Sequence, residues 1–316
     1  MAAHPSQAGA TPGASADAAD AVRVAVATAA VLGESPVWHP REQALYYCDI
    51  AGRKLQRFDP ATGDLRHWTF ETDVACLAPQ LNGALLLGMR DGLWHFDPDS
   101  GERRLAANPP YAPATERFND GKCDPQGRFW VGTIYEPREP ASAALYCFTH
   151  GELGRQVDGL TVLNGLAWSP DGKTMHWSDT KAHTIYAADF DPESGGVSRR
   201  RTFASFPVKQ PGQDLATYGG RPDGAAMDAE GCYWIAMFEG QQLLRLSPEG
   251  KVLRSVALPV RCPTMPCFGG ADLKTLYITT SRENRPEAEL IAQPLAGCVL
   301  ALDVDVPGLP ASFFVA

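Results

Sequence analysis

The sequence is poor in the features that mark nucleic-acid-binding, membrane and disulfide-stapled proteins. Of its 316 residues, 28 are Lys or Arg against 37 Asp or Glu, a net charge of −9, and its one basic cluster is Arg199-Arg200-Arg201. That triplet reads as an exposed strand end. With no basic stripe to meet phosphates, the composition argues against nucleic acid as a partner. No apolar run approaches the roughly 18 residues of a membrane span, so no membrane partner is expected. The eight cysteines, Cys48, Cys76, Cys123, Cys147, Cys232, Cys262, Cys267 and Cys298, are scattered, with no CxxC pair. Most fall in apolar strand patterns such as YYCDI and LYCFT, as small buried hydrophobes do in a reducing compartment. Cys262 and Cys267 flank PTMP and are the pair whose spacing admits a disulfide. With no second Cys or His pair nearby, they do not make a zinc site. Residues 1–21 carry almost no bulky apolar side chains, and neither the basic start nor the apolar stretch of a signal peptide. They read as a disordered segment, and the chain as cytoplasmic.

A sustained helical period is also missing. In its place stand 30 Gly, 26 Pro and 44% hydrophobic residues, the composition of many short strands joined by turns. Six segments share one layout: an apolar strand, a turn with Gly, an aromatic strand, a polar link and another apolar strand. They are residues 35–66, 74–104, 121–156, 165–201, 224–254 and 267–305. A repeat of about 50 residues with alternating Val, Leu, Tyr, Trp and Phe suits one four-stranded propeller blade per unit. The chain from residue 22 to residue 316 is therefore expected to be a single all-β domain, a six-bladed β-propeller of four-stranded antiparallel blades. A β-sandwich is the weaker alternative. The turns DPATGD, DPDSGE and DPESGG suit tight hairpins. DPDSGE is not a calcium loop: an EF-hand needs Gly sixth and Glu twelfth, whereas Gly101 is fifth and Asn108 twelfth.

In a propeller the first strand of each blade lines the central channel, and residues just before it sit at the channel mouth. At those positions stand Glu34 in LGESPVW, Asn119 in RFNDGKCD, Asn164 in VLNGLAW and Asp223 in RPDGAAM. Small residues follow each one and permit close approach at a crowded centre. Taken singly, Asn164-Gly165 and Pro222-Asp223-Gly224 are ordinary turn sequences, and Asp120 reads as a turn or strand-end bond. Their shared register sets them apart. Carboxylates and amides crowded on one axis repel and are poorly solvated unless a divalent cation joins them. An all-oxygen set favours Ca²⁺, Mg²⁺ or Mn²⁺ over Zn²⁺, which nonetheless tolerates carboxylates. No GxSxG elbow is present, and most histidines lie away from the blade starts, so neither a serine nucleophile nor a histidine base is expected.

The stretches GESPVW, RFNDGKCDPQGRFWVGT, NGLAWSPDGKTMHWSDT, PDGAAMDAEGCYWIA and CFGGADLKTLYITTSR resemble the senescence-marker-protein / gluconolactonase / regucalcin family over roughly residues 31–305. The resemblance implies a single divalent metal at the channel centre and hydrolysis of sugar lactones. It implies Glu34, Asn164 and Asp223 as metal ligands. A carboxylate beside a metal can accept the proton of the attacking water, so Asp223 is also the candidate general base. Arg117 and Asn119 would hold the lactone oxygens and hydroxyls. The family's further substrate acid falls where this chain has Pro137, so Glu136, one position earlier, becomes the candidate contact. The long link PVKQPGQDLATYGGRPD reads as a lid. Two other readings stand beside this one. A propeller esterase or phosphotriesterase would show an apolar channel rim. A cation-binding or protein-interaction propeller without catalysis would show a large exposed apolar face.

Overall fold

The computed structural model describes residues 21–315. The segment read as disordered therefore lies outside the described residues, save its last position. Six four-stranded antiparallel sheets are arranged as a six-bladed propeller. The innermost strands are Gly33–His39, Val74–Pro79, Glu116–Cys123, Leu163–Trp168, Arg221–Met227 and Pro263–Gly269. Each packs on the next, and the sixth packs back on the first. Five blades are built from four consecutive strands. In the sixth, Arg23–Val26 pairs with Val299–Asp303 as the outermost strand. The N-terminal strand thus closes the ring, a role that its four residues RVAV did not announce in sequence. Among the described residues no helix is long and apolar enough to cross a membrane.

The repeated turn sequences fold alike. Asp97 accepts the Asp99 amide at 2.8 Å, and the Gly101 amide returns to the Asp97 carbonyl at 2.8 Å. Asp59 and Asp191 organise their own hairpins in the same way. A second repeated device is buried. In CDPQGRFW, Asp124 accepts the Gln126 and Arg128 amides at 2.9 and 3.0 Å and the Trp130 indole N–H at 2.9 Å. In MDAEGCYW, Asp228 accepts the Glu230 and Cys232 amides at 3.0 and 2.9 Å and the Trp234 indole at 3.1 Å. A fully buried carboxylate is tolerable because each of its oxygens is bonded and an arginine, Arg128 or Arg245, neutralises it.

All eight cysteines are free thiols. The disulfide admitted for Cys262 and Cys267 does not form, because strand Pro263–Gly269 runs extended between them. At about 3.3 Å per residue the two are separated by far more than a disulfide spans.

Candidate active site

Each innermost strand slips register against its neighbour near its start. The shifts fall between Glu34 and Val37, Val74 and Cys76, Phe118 and Gly121, Asn164 and Ala167, Pro222 and Ala225, and Pro263 and Met265. Bulges of this kind re-aim side chains beside functional sites. Here they turn the polar residues toward one another across blades. Gly165 permits one such approach: it is left-handed at φ 66°, and a Cβ there would meet the Tyr233 hydroxyl at 2.3 Å. That hydroxyl donates to the Gly165 carbonyl at 2.5 Å and ties the fourth blade to the fifth.

The result is a continuous hydrogen-bonded chain. Arg117 Nη1 donates to Asn119 Oδ1 at 2.8 Å, and Asn119 Nδ2 donates to Asn164 Oδ1 at 2.7 Å. Asn164 Nδ2 donates to Asp223 Oδ1 at 2.5 Å and to Thr180 Oγ1 at 2.9 Å. Arg117, Asn119, Asn164 and Asp223 are all buried, as is Glu34, which accepts the Ser35 amide at 3.0 Å. Asp120 is buried too, but its bond is not local: it accepts the Leu166 amide of the next blade at 2.9 Å. Lys122 reaches from the third blade to the Ala225 carbonyl of the fifth at 3.0 Å. The polar crowd in ERFNDGKC thus belongs to a strand whose side chains answer other blades rather than water.

Burial dominates the electrostatics. It raises the Glu34 carboxyl well above the usual range, and the neighbouring Asp223 and Asp120 carboxylates raise it further. Burial pushes Asp223 up to about 7, with Asp120 adding to the rise and Arg221 opposing it. Arg117, by contrast, has its proton affinity lowered by burial. Among the described residues, no group of three or more His, Cys, Asp or Glu is placed to hold an ion. The Glu34, Asn164 and Asp223 set falls outside that description because it holds two carboxylates and an amide. Its chemistry fits a hard cation: burial raises the proton affinity of both carboxylates, Asp223 raises that of Glu34 further, and such a charge would relieve both. Asn164 faces Asp223 with its NH₂ group, so serving as a ligand requires its oxygen to turn toward the carboxylates.

Glu136 stands further out, at the rim. It pairs with Arg90 at 2.6 Å and lies 3.9 Å from Arg117 Nε, while Arg90 also holds Asp73 at 2.8 Å. Thr180, Arg138 and Arg221 join the site from positions the sequence reading did not single out. Thr180 follows strand Thr174–Asp179, Arg138 follows Phe129–Tyr135, and Arg221 opens the fifth inner strand. The link before Asp223 carries a short 3-10 turn, Leu215–Thr217, capped by Asp214 and held by Arg261 Nη1 on the Leu215 carbonyl at 3.0 Å. The opposite end of the inner strands lines a different cavity of about 320 Å³, walled by Val37, Leu77, Trp168, Met227 and Phe268. It is apolar and lacks the carboxylate pair.

The sequence profile described as SMP-30/Gluconolactonase/LRE-like region matches residues 32–282. The chain is 42% identical to the 6-deoxy-6-sulfogluconolactonase of Pseudomonas putida, covering 93% of this chain and 99% of that one. It is 35% identical to regucalcin of Danio rerio, over 88% of this chain and 93% of the relative. Among solved structures it is similar to a calcium-binding protein, regucalcin, of Agrobacterium tumefaciens, with a TM-score of 0.87 at 26% identity over 94% of this chain and 98% of that one. With a profile spanning most of the propeller and full-length relatives above 30% identity, the chain belongs to the SMP-30/gluconolactonase/LRE-like family.

Proposed function

We propose that this protein is a sugar lactonase that hydrolyses an aldonolactone to the aldonic acid at the axial cluster of Glu34, Arg117, Asn119, Asn164 and Asp223. The observation that carries this reading is the buried chain from Arg117 through two amides to the Asp223 carboxylate. It places a cationic donor, neutral hydrogen-bonding groups and a basic oxygen in one line at a channel mouth. Family membership supports the reaction class. A divalent cation, Ca²⁺, Zn²⁺, Mn²⁺ or Mg²⁺, would be held by Glu34, Asn164 and Asp223, and would supply polarisation of the lactone carbonyl and a more acidic water.

The chain's own residues account for the rest. Asp223 accepts a proton from the attacking water as its oxygen adds to the lactone carbonyl carbon. Burial serves this role, because it raises the proton affinity of a carboxylate toward neutrality. When the ring C–O bond breaks, the proton passes to the departing ring oxygen, which becomes a hydroxyl of the product. Arg117 faces the negative charge that develops on the carbonyl oxygen, and its bond to Asn119 fixes its guanidinium. Asn119, bonded on both sides, presents a fixed amide that discriminates hydroxyl positions.

The reading is tested by following proton release from a panel of pentono- and hexonolactones. Metal-stripped protein is compared with protein resupplied with each cation, with Asp223→Ala as control. Cation-dependent turnover that the substitution abolishes is expected. Folded protein that binds a cation but turns over no lactone would overturn it.

A further inference from the structure

The hydrolytic chemistry leaves unused the cavity at the end of the channel away from Asp223. All six inner strands contribute to its wall, through Val37, Leu77, Lys122, Trp168, Met227 and Phe268, so it lies on the propeller axis. Its volume of about 320 Å³ is that of a small-molecule site, a class that begins at roughly 300 Å³ and combines apolar walls with a few placed polar groups. The C-terminal segment roofs it. The Leu309 amide donates to the Met227 carbonyl of the fifth blade at 3.2 Å, and the Phe314 amide donates to the Pro79 carbonyl of the second blade at 2.8 Å. Phe314 also stacks on Phe148 at 5.5 Å. Between these anchors Pro310, Ala311 and Ser312 line the cavity, and among the described residues the backbone of 310–313 makes no hydrogen bond. A strap fastened at both ends and unbonded between them is the wall that opens at least cost.

Of the residues that line this cavity, Lys122 alone carries a formal charge. An ammonium has three N–H donors. Lys122 places one on the Ala225 carbonyl at 3.0 Å, and among the described residues it makes no other hydrogen bond and no ion pair. The side chain is half-buried and part of the cavity wall. Burial lowers its proton affinity, and Asp120, two residues earlier on the same strand, opposes that effect. Asp120 does not line the cavity, and it is held by the Leu166 amide at 2.9 Å. An ammonium disfavoured by burial, with donors to spare, is stabilised by an anion brought against it. A charge-assisted bond to a carboxylate is about twice as strong as one between neutral groups.

We propose that this cavity is a second binding site, for a small apolar monocarboxylate whose carboxylate meets Lys122 and whose hydrocarbon lies along Leu77, Trp168, Met227 and Phe268 beneath the strap. The site is separate from the axial cluster, and its occupancy does not depend on lactone hydrolysis.

Isothermal calorimetry with octanoate, octanol and octylamine tests the proposal. Octanoate binds more tightly than octanol by about tenfold or more, and octylamine binds more weakly than either. Lys122→Gln, whose amide can still donate to the Ala225 carbonyl, lowers octanoate affinity by about 10- to 100-fold and leaves octanol unchanged. Ala311→Trp fills the cavity from the half-buried strap and removes binding of both ligands, while its melting temperature shows that it folds. This second variant keeps the test decisive if Lys122→Gln is unstable. Asp223→Ala binds octanoate as the parent does. Equal affinity for octanoate and octanol overturns the inference, as does octanoate binding that either folded cavity variant leaves intact. Folded parent protein that binds no octanoate overturns it too. Binding that is lost in Asp223→Ala would place the acid at the axial cluster instead, with the same consequence.

Discussion

Asp223 sits at the end of the amide chain, where its charge is both costly and useful. Asp223→Asn keeps the volume and the bond from Asn164 but removes the base and one repelling carboxylate. Turnover is expected to fall on the order of 10²–10⁴-fold, the usual worth of a positioned general base. Metal-stripped Asp223→Asn should melt at a higher temperature than the parent, because Glu34 then faces one fewer buried negative charge. A thermal melt with and without cation checks this, and a lower melting temperature in the stripped variant would refute it. At this scale the sequence was informative where residues shared a register. Glu34, Asn119, Asn164 and Asp223 are each followed within two residues by Gly or Ser-Pro at a blade start, so their common position was visible. Thr180, Arg138 and Arg221 were not visible as a set, because they enter from different strand ends and only closure of the ring brings them together. Asp120 was legible as bonded, but its partner on the next blade was not, since a bond to Leu166 spans 46 positions in sequence.

Strands and turns repeat their chemistry, so an aspartate's contribution depends on where in the blade it stands. Asp228 is fully buried and meets four donors: two turn amides, the Trp234 indole and the Arg245 guanidinium. Asp228→Asn puts an NH₂ group among those donors and leaves Arg245 without its buried counter-charge. A loss of about 3–5 kcal/mol is expected, as when one partner of a buried pair is removed. Asp97→Asn, on an exposed hairpin, should cost far less, since its bonds are matched by water. Urea midpoints of the two variants decide the matter, and equal losses would count against the buried-turn account. The repeated sequences CDPQGRFW and MDAEGCYW made these two turns readable in advance. The bulges were not readable. A bulge is a relation between two strands, and the polar run at Glu116–Cys123 disguised a strand that begins five residues ahead of the repeat read from sequence. Strand propensity treats such polar residues as turn formers, whereas here their partners are other blades.

Across the whole molecule the blades are joined by contacts that no single repeat contains. The ring closes through Arg23–Val26, reinforced by Arg23 paired with Asp303 at 2.9 Å. His176 is another such contact. It projects from the fourth blade against Phe203 at 4.8 Å and Tyr233 of the fifth blade at 5.5 Å, and its Nδ1 has no partner. Burial among these rings, with Arg201 adding to the effect, depresses its pKa from the ordinary 6.5 to about 4. The folded protein therefore holds His176 neutral, while the unfolded chain binds a proton as pH falls below 6.5. Above pH 6.5 both states are neutral and the residue contributes no pH dependence. Between pH 6.5 and 4 the unfolded state takes up more protons, so stability declines as pH falls, and below about 4 the full penalty is in place. A shift of this size corresponds to about 3 kcal/mol at pH 4. His176→Phe keeps an aromatic ring between the blades and removes the titration. Urea unfolding at pH 7 and at pH 4.5 should therefore show the parent losing more stability than the variant, by about 2–3 kcal/mol. Parallel losses in the two proteins would mean that the junction between the fourth and fifth blades admits the charged imidazole without penalty. In that case the acid sensitivity of the propeller must come from its buried aspartates instead.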